Sequence, residues 1–402
     1  MSTNFAETKI VALWIPRISG TISIIGSLAI MCSLWGRDDR LALSNFRFLF
    51  AMSVVDILNS LSLAVSSAAI PRGDFYGAIG NKVTCATQGF LLQFGTAVPY
   101  YNASLCLFAY YTIRFNYTSQ KFARTIEPYC HAFALLFPLL TAISILSLGL
   151  FNGGNETGGG HWCWIYVNEQ HDMEYSTAKY ATALVWIFAG IPVGIISLVV
   201  YYCMWCVYRY VSRQNRLVRR QNLLGRLPTT MNIHKIQTAR QALLFSLAFT
   251  ATFLFLDLQY MFSAAGMDEV RYPTLFAVLG ILQSIFYPLQ GFWNFIIYFM
   301  PITASIKRRN PTINTLRAFQ IALFNGNETN TRQRNDSLPS NVFPLPVIHE
   351  NEKKDDLLLS PLAVVDCVKS EISISVLSEP TCSYDHLEHK SAIGDVSTTE
   401  EP

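Results

Sequence analysis

Charge is what this 402-residue chain has least of: Asp, Glu, Lys and Arg together make up 14% of it. An ordinary soluble chain carries roughly a quarter. The shortage is local, because long uncharged stretches alternate with charged connectors, and the last eighty or so residues are rich in charge. Several soluble domains are excluded by that pattern, and hydrophobic residues at 51% point instead to a lipid-embedded chain. A signal-peptide cleavage site is also lacking. The first nine residues are largely polar, and the apolar run after them continues without a small-residue cleavage motif, so the first helix is expected to stay as an uncleaved anchor.

A bilayer core of about 30 Å takes roughly 20 helical residues to cross. Seven stretches qualify: Ile15–Trp35, Phe48–Ile70, Cys85–Ile113, Tyr129–Phe151, Thr177–Tyr208, Gln241–Ala265 and Pro273–Met300. Trp14, Trp35, Tyr76, Trp162, Trp164, Tyr260 and Tyr272 fall near their ends, where amphipathic rings favour the headgroup layer. The basic residues set orientation. Eighteen fall on one side, from Arg37 through the arginine-rich connector Arg209–Arg240 to Arg317, and six on the other. By the positive-inside rule the N-terminus is outside and the tail cytosolic. The expected fold is therefore all-α. It has a short extracellular N-terminus (1–14), a seven-transmembrane-helix bundle (15–302), an amphipathic juxtamembrane segment (303–324) and a disordered cytosolic tail (325–402).

That topology sorts the weaker motifs. Of five N-x-S/T sequons only Asn155 lies on the outer side, as a candidate glycosylation site. Of nine cysteines only Cys85 and Cys163 face an oxidising space, so they are expected to pair; the alternative is two free thiols.

Further absences narrow the function. The last helix has no lysine, which excludes a retinal Schiff base. All seven histidines fall in loops, tails or at a helix end, against a buried zinc hydrolase. No enzymatic role, metal or cofactor is expected, and no nucleic-acid partner. No convincing internal repeat exists, and only Asp56 and Asp257 lie deep in the spans, which leaves a transporter or channel as the alternative reading. A receptor needs a sealed bundle, an outer cup and a cationic inner face. The run RQNRLVRRQNLLGRL, with Arg213, Arg216, Arg219 and Arg220, interleaves cations and apolar residues at helical spacing. Positive-inside bias alone also fills such a connector with arginine.

Four motifs then fall in order. Helix two carries AMSVVDILNSL around Asp56, helix three opens with CATQGFLLQF, the second outer loop has HWCWI, and helix seven has PLQGFWNFIIY. With these the chain resembles the cyclic-AMP-receptor-like group of G-protein-coupled receptors. That group is typified by slime-mould cAMP receptors, with kinship to fungal glucose-sensing and, more distantly, secretin-like receptors. The resemblance covers roughly residues 17–310. It implies a Cys85–Cys163 bridge and a helix-packing activation switch of Asp56, Asn294 and Tyr298. It also fits an extracellular ligand and a heterotrimeric G protein inside, with adenylate cyclase as one route of signalling. In the tail, Ser370, Ser373, Ser375, Ser378, Thr381 and Ser383 cluster among acids as candidate substrates for receptor kinases, with arrestin-like proteins as further expected partners. The chain departs from rhodopsin-like receptors. FAYYTIRF ends helix three in place of an Asp-Arg-Tyr triplet, with Arg114 as the candidate cation for coupling, and Phe295 rather than proline follows Asn294.

At 1.5 Å per residue, Gln93 and Asp257 lie about 12 Å below the outer surface and Gln283 about 15 Å, as a candidate floor for a ligand cup. Asp257 in hydrocarbon costs roughly 2.5–3.5 kcal/mol on insertion scales, so it faces a ligand, a partner or a solvated vestibule. An anionic ligand would instead draw on Lys179, Lys82, Arg72 and Arg271 at the rim. Pro99, Pro138, Pro192 and Pro288 are expected to kink their helices.

Overall fold

The structure, a computed structural model, describes residues 2–35, 38–73, 76–153, 162–165, 183–223, 230–267 and 271–324. It is helical almost throughout. The helices are α1 (Ser2–Leu34), α2 (Ser44–Val65), α3 (Lys82–Gly95), α4 (Ala97–Arg114), α5 (Ser119–Thr125) and α6 (Glu127–Ser147). They continue with α7 (Ile191–Leu223), α8 (Thr230–Ala264), α9 (Pro273–Phe286), α10 (Gln290–Arg309) and α11 (Thr315–Phe324). Two three-residue strands, β1 (Phe151–Gly153) and β2 (Cys163–Ile165), pair antiparallel with Phe151 opposite Ile165.

Among the described residues, six segments are long and apolar enough to cross a bilayer: Leu13–Leu34, Ser44–Ala69, Glu127–Ser147, Ala183–Gln214, Thr238–Ser263 and Pro273–Arg309. Their outer faces carry large apolar side chains in the open. Leu140 on α6 is 61% exposed, Leu198 on α7 69% and Leu247 on α8 66%. Water would penalise such a surface, whereas lipid accepts it, so the chain is a multi-pass membrane protein. The stretch expected as the third crossing, Cys85–Ile113, is not among the six. It is divided at Thr96 into α3 and α4. Pro99 explains the division, since it has no N–H to bond the Gly95 carbonyl, and the Thr96 hydroxyl caps the Gln93 carbonyl at 2.7 Å. Thirteen of the eighteen residues of α4 are buried, which makes it a central helix rather than a lipid-facing one.

Other boundaries shift as well. The helix expected to stop at Tyr208 continues to Leu223, and the next begins at Thr230 rather than Gln241. An apolar count ends where lipid ends, but helical hydrogen bonding does not. The expected amphipathic segment 303–324 divides too: Thr303–Arg309 finishes α10, and α11 folds back so that Phe319 meets Phe295 at 5.7 Å and Phe299 at 6.1 Å.

Small residues set the closest helix approach. Ser19, Ser23 and Ser27, four apart on α1, are all buried. A side chain on Gly291 of α10 would strike the hydroxyls of both Ser23 and Ser27, and one on Gly26 would meet the Gly291 carbonyl at 3.0 Å. Here α1 and α10 touch backbone to backbone, as small residues permit in lipid.

Candidate functional site

Polar clusters occupy both halves of the bundle. At the arginine-rich end, Asn294 on α10 donates from Nδ2 to Asp56 Oδ2 on α2 at 2.9 Å, and Gln290 Nε2 donates to Asn294 Oδ1 at 3.4 Å. Asp56 and Asn294 are both 0% exposed. Asp56 Oδ1, Asn59 Oδ1 and Gln290 Oε1 are buried nearby without a hydrogen-bond partner. Among the described residues this hydrogen bond links the side chains of α2 and α10 in a region where an unmatched polar group is costly, beside the edge-on contact of Phe46 with Tyr298. Tyr298, one helical turn beyond Asn294, is held apart from that pair. Its hydroxyl accepts from Arg40 Nη1 at 2.7 Å and lies 3.1 Å from Ser33 Oγ. Of the three expected switch residues the fold therefore joins two directly and places the third on a separate anchor to the end of α1.

A second cluster at this end was not anticipated. Arg47 at the start of α2 grips Glu127 at the start of α6 with two donors, Nε to Oε1 and Nη2 to Oε2, the latter at 2.6 Å. His131 Nε2 stands 3.5 Å from the same carboxylate, and its Nδ1 lies 3.2 Å from the Tyr101 hydroxyl of α4. The Ser44 amide donates to Ser119 Oγ of the connector helix α5 at 3.1 Å. Helices α2, α4, α5 and α6 are thereby fastened at one end. The signal was a lone glutamate opening one span opposite a lone arginine opening another; counting Arg47 only for orientation hid the pairing.

At the other end Cys85 and Cys163 form a disulfide, with Cα atoms 5.3 Å apart, joining α3 to β2. Gln88, one turn along, locks the same junction. Its Nε2 is 2.9 Å from the carbonyls of Ser62 and Ser66, and its Oε1 accepts from the Cys163 amide at 2.7 Å. Ser66 takes a left-handed φ of 51° where α2 ends, turning that carbonyl toward Gln88. Gly89 is required beside it because a Cβ there would enter the Phe151 ring of β1.

Gln93 lies at the centre of this half. Its Oε1 accepts from the Trp164 indole at 3.0 Å, and its Nε2 reaches Thr141 Oγ1 on α6 at 3.0 Å and the Phe188 carbonyl at 3.4 Å. That carbonyl is free because Pro192, four residues on, has no N–H to bond it, and the backbone widens into a π-helical turn over Trp186–Gly190. Both polar ends of Gln93 are thus bonded within the fold, and its Oε1 positions Trp164. Asp257 and Gln283 are different: neither side chain has a hydrogen-bond or ion-pair partner among the described residues.

Arg114 ends α4 with its side chain exposed and in contact with its surroundings, and Arg213 and Arg216 are exposed on α7. Arg219 and Arg220 belong to the same helix, but their side chains lie outside the described residues, as do Lys179, Asn155 and the tail from residue 325. Among the described residues no three His, Cys, Asp or Glu side chains gather as a metal site. No family model and no curated protein matches this chain.

Proposed function

We propose that the chain is a G-protein-coupled receptor with seven crossings and its N-terminus outside, binding a ligand in the disulfide-bearing half and a heterotrimeric G protein at the arginine-rich end. The carrying observation is the buried Asp56–Asn294 hydrogen bond, a polar tie between two helices. Such a tie has two stable arrangements, made or broken, and so can respond to a ligand at a distance. The seventh crossing is α3 followed by α4, most of whose side chains are buried inside the bundle rather than facing lipid. The proline-freed Phe188 carbonyl and the bend at Thr96 give the helices around the cup room to move without breaking a ladder bond. At the inner end, the extension of α7 past Tyr208 carries Arg213 and Arg216 beyond the bilayer on a continuous helix, a cationic surface for an acidic partner.

The alternative, a transporter or channel, takes Asp56 or Asp257 as part of a solute path. Loading of a GTP analogue onto a panel of G proteins, in membranes carrying the chain, separates the two. We expect exchange above that of empty membranes, lost when Gln214–Arg226 is deleted while the protein still reaches the membrane. Absence of exchange across the panel together with solute uptake would replace the receptor reading with the transporter.

A further inference from the structure

We propose that the disulfide-bearing half of the bundle is a binding site for an organic ammonium ion, with Asp257 as counter-charge and Tyr260, Trp164 and Trp186 as aromatic walls. Access from outside the cell rests on the receptor reading; the site chemistry does not.

On α8, Ser246, Phe249 and Phe253 are buried at helical spacing, and the same stripe continues through Asp257 to Tyr260, both half-buried. Asp257 thus follows the buried face of its helix. Among the acids with described side chains it is the exception, for Asp56 has Asn294 and Glu127 has Arg47. Asp257 has no partner among the described residues, and Arg72, Lys82 and Arg271 do not pair with it. Arg72 donates to the Ile79 carbonyl at 3.3 Å, and the Arg271 guanidinium lies over Tyr272 at 5.7 Å.

The aromatic residues come from three separate elements. The Tyr260 ring lies 6.4 Å from Trp164 of β2 and 6.1 Å from Trp186 ahead of α7, each pair inclined by 67°. Rings set edge to face do not stack on one another, and Trp164 is held in place by Gln93. One helical turn further into the bundle Phe253 meets Tyr287 at 5.5 Å, and Tyr287 meets Trp162 at 6.3 Å. Asp257 is four residues beyond Phe253, and Gln283 four before Tyr287 on the returning helix. Both therefore stand about 6 Å above that ring contact. Gln283 is 6% exposed and likewise without a side-chain partner, so an unpaired carboxylate and an unpaired amide share one level.

A carboxylate in apolar surroundings is favourable only with a cation beside it, and indole and phenol faces attract the same charge through their quadrupoles. An alkylammonium satisfies both at once, and Gln283 supplies an acceptor for a second polar group on the ligand. A phosphate or carboxylate ligand would meet Asp257 with repulsion.

The test uses the purified full-length chain and benzyltrimethylammonium, with benzyl alcohol and phenylacetate as neutral and anionic counterparts, read by calorimetry and tryptophan fluorescence. We expect saturable binding of the ammonium alone. Asp257→Asn should weaken it by about thirtyfold and Tyr260→Ala by about tenfold. Asp257→Glu should keep most of the affinity, which shows that charge and not folding is at issue. Binding of phenylacetate, equal binding by Asp257→Asn, or no saturable ammonium binding would each overturn the site. Ammonium binding without any G-protein exchange keeps the site and removes the receptor reading; exchange without ammonium binding does the reverse.

Discussion

Arg47→Ala is expected to destabilise the bundle by about 3–5 kcal/mol, and Glu127→Ala by only about 1–2 kcal/mol, although both delete the same ion pair. The asymmetry follows from where each partner sits. The Glu127 side chain is 7% exposed, while that of Arg47 is 30% exposed. Removing Arg47 strands a carboxylate that water scarcely reaches and leaves it beside His131 and Ser44 with only weak donors. Removing Glu127 strands a guanidinium that reaches solvent and still donates to the Leu41 carbonyl at 2.6 Å and to Ser44 Oγ at 3.3 Å. The double variant Arg47→Ala/Glu127→Ala should therefore be more stable than Arg47→Ala alone. Thermal melting of the purified chain in detergent measures all three. Equal losses for the two single variants would show that the pair is not the buried lock described here.

Cys163→Ser should cost about 2–5 kcal/mol and should lower the amount of protein at the cell surface more than any single change in the aromatic walls. The bridge closes 78 residues of sequence, but the larger consequence is local. The Cys163 amide is the donor to Gln88 Oε1, and Gln88 in turn caps the end of α2 through Ser62 and Ser66. Freeing β2 removes that donor, opens the seat of the Phe151 ring on Gly89 and releases Trp162 and Trp164 from the cup. Cys85→Ser should match Cys163→Ser, and the double serine variant should be no worse than either. Surface labelling and melting temperature check this. A double variant markedly worse than the singles would mean that each cysteine contributes independently of the bridge.

Much of this architecture was legible in the residues, for identifiable physical reasons. Hydrocarbon tolerates little charge, so the crossings stood out as uncharged blocks, and the division of oxidising from reducing sides left Cys85 and Cys163 together. The resemblance grouped Asp56 with Asn294, and the structure shows them bonded. What stayed hidden depends on contacts between distant segments. The strands β1 and β2 are three residues each, too short for any alternation to register, and they are defined only by pairing with one another. Gln88 and Gly89 sat within a quoted motif, but their purpose is visible only with Phe151 and the end of α2 in place. Pro99 and Pro192 were recognised as helix breakers. The sequence could not show that Gln93 reaches the Phe188 carbonyl beside Pro192, together with Trp164 and Thr141. The extent of α7 was underestimated because arginine ends an apolar run without ending a helix.

The claim that the Asp56–Asn294 contact governs engagement of a G protein is tested most directly by exchanging its two ends. GTP-analogue loading is measured for Asp56→Asn, for Asn294→Asp and for the double exchange Asp56→Asn/Asn294→Asp, each matched for surface amount. The account predicts that either single variant, with two like side chains face to face, changes exchange by about tenfold, within the coupling range of such pairs, and that the double exchange returns to near the wild-type rate. Single variants that leave exchange unchanged, or a double exchange whose effect is the sum of the two, would contradict it.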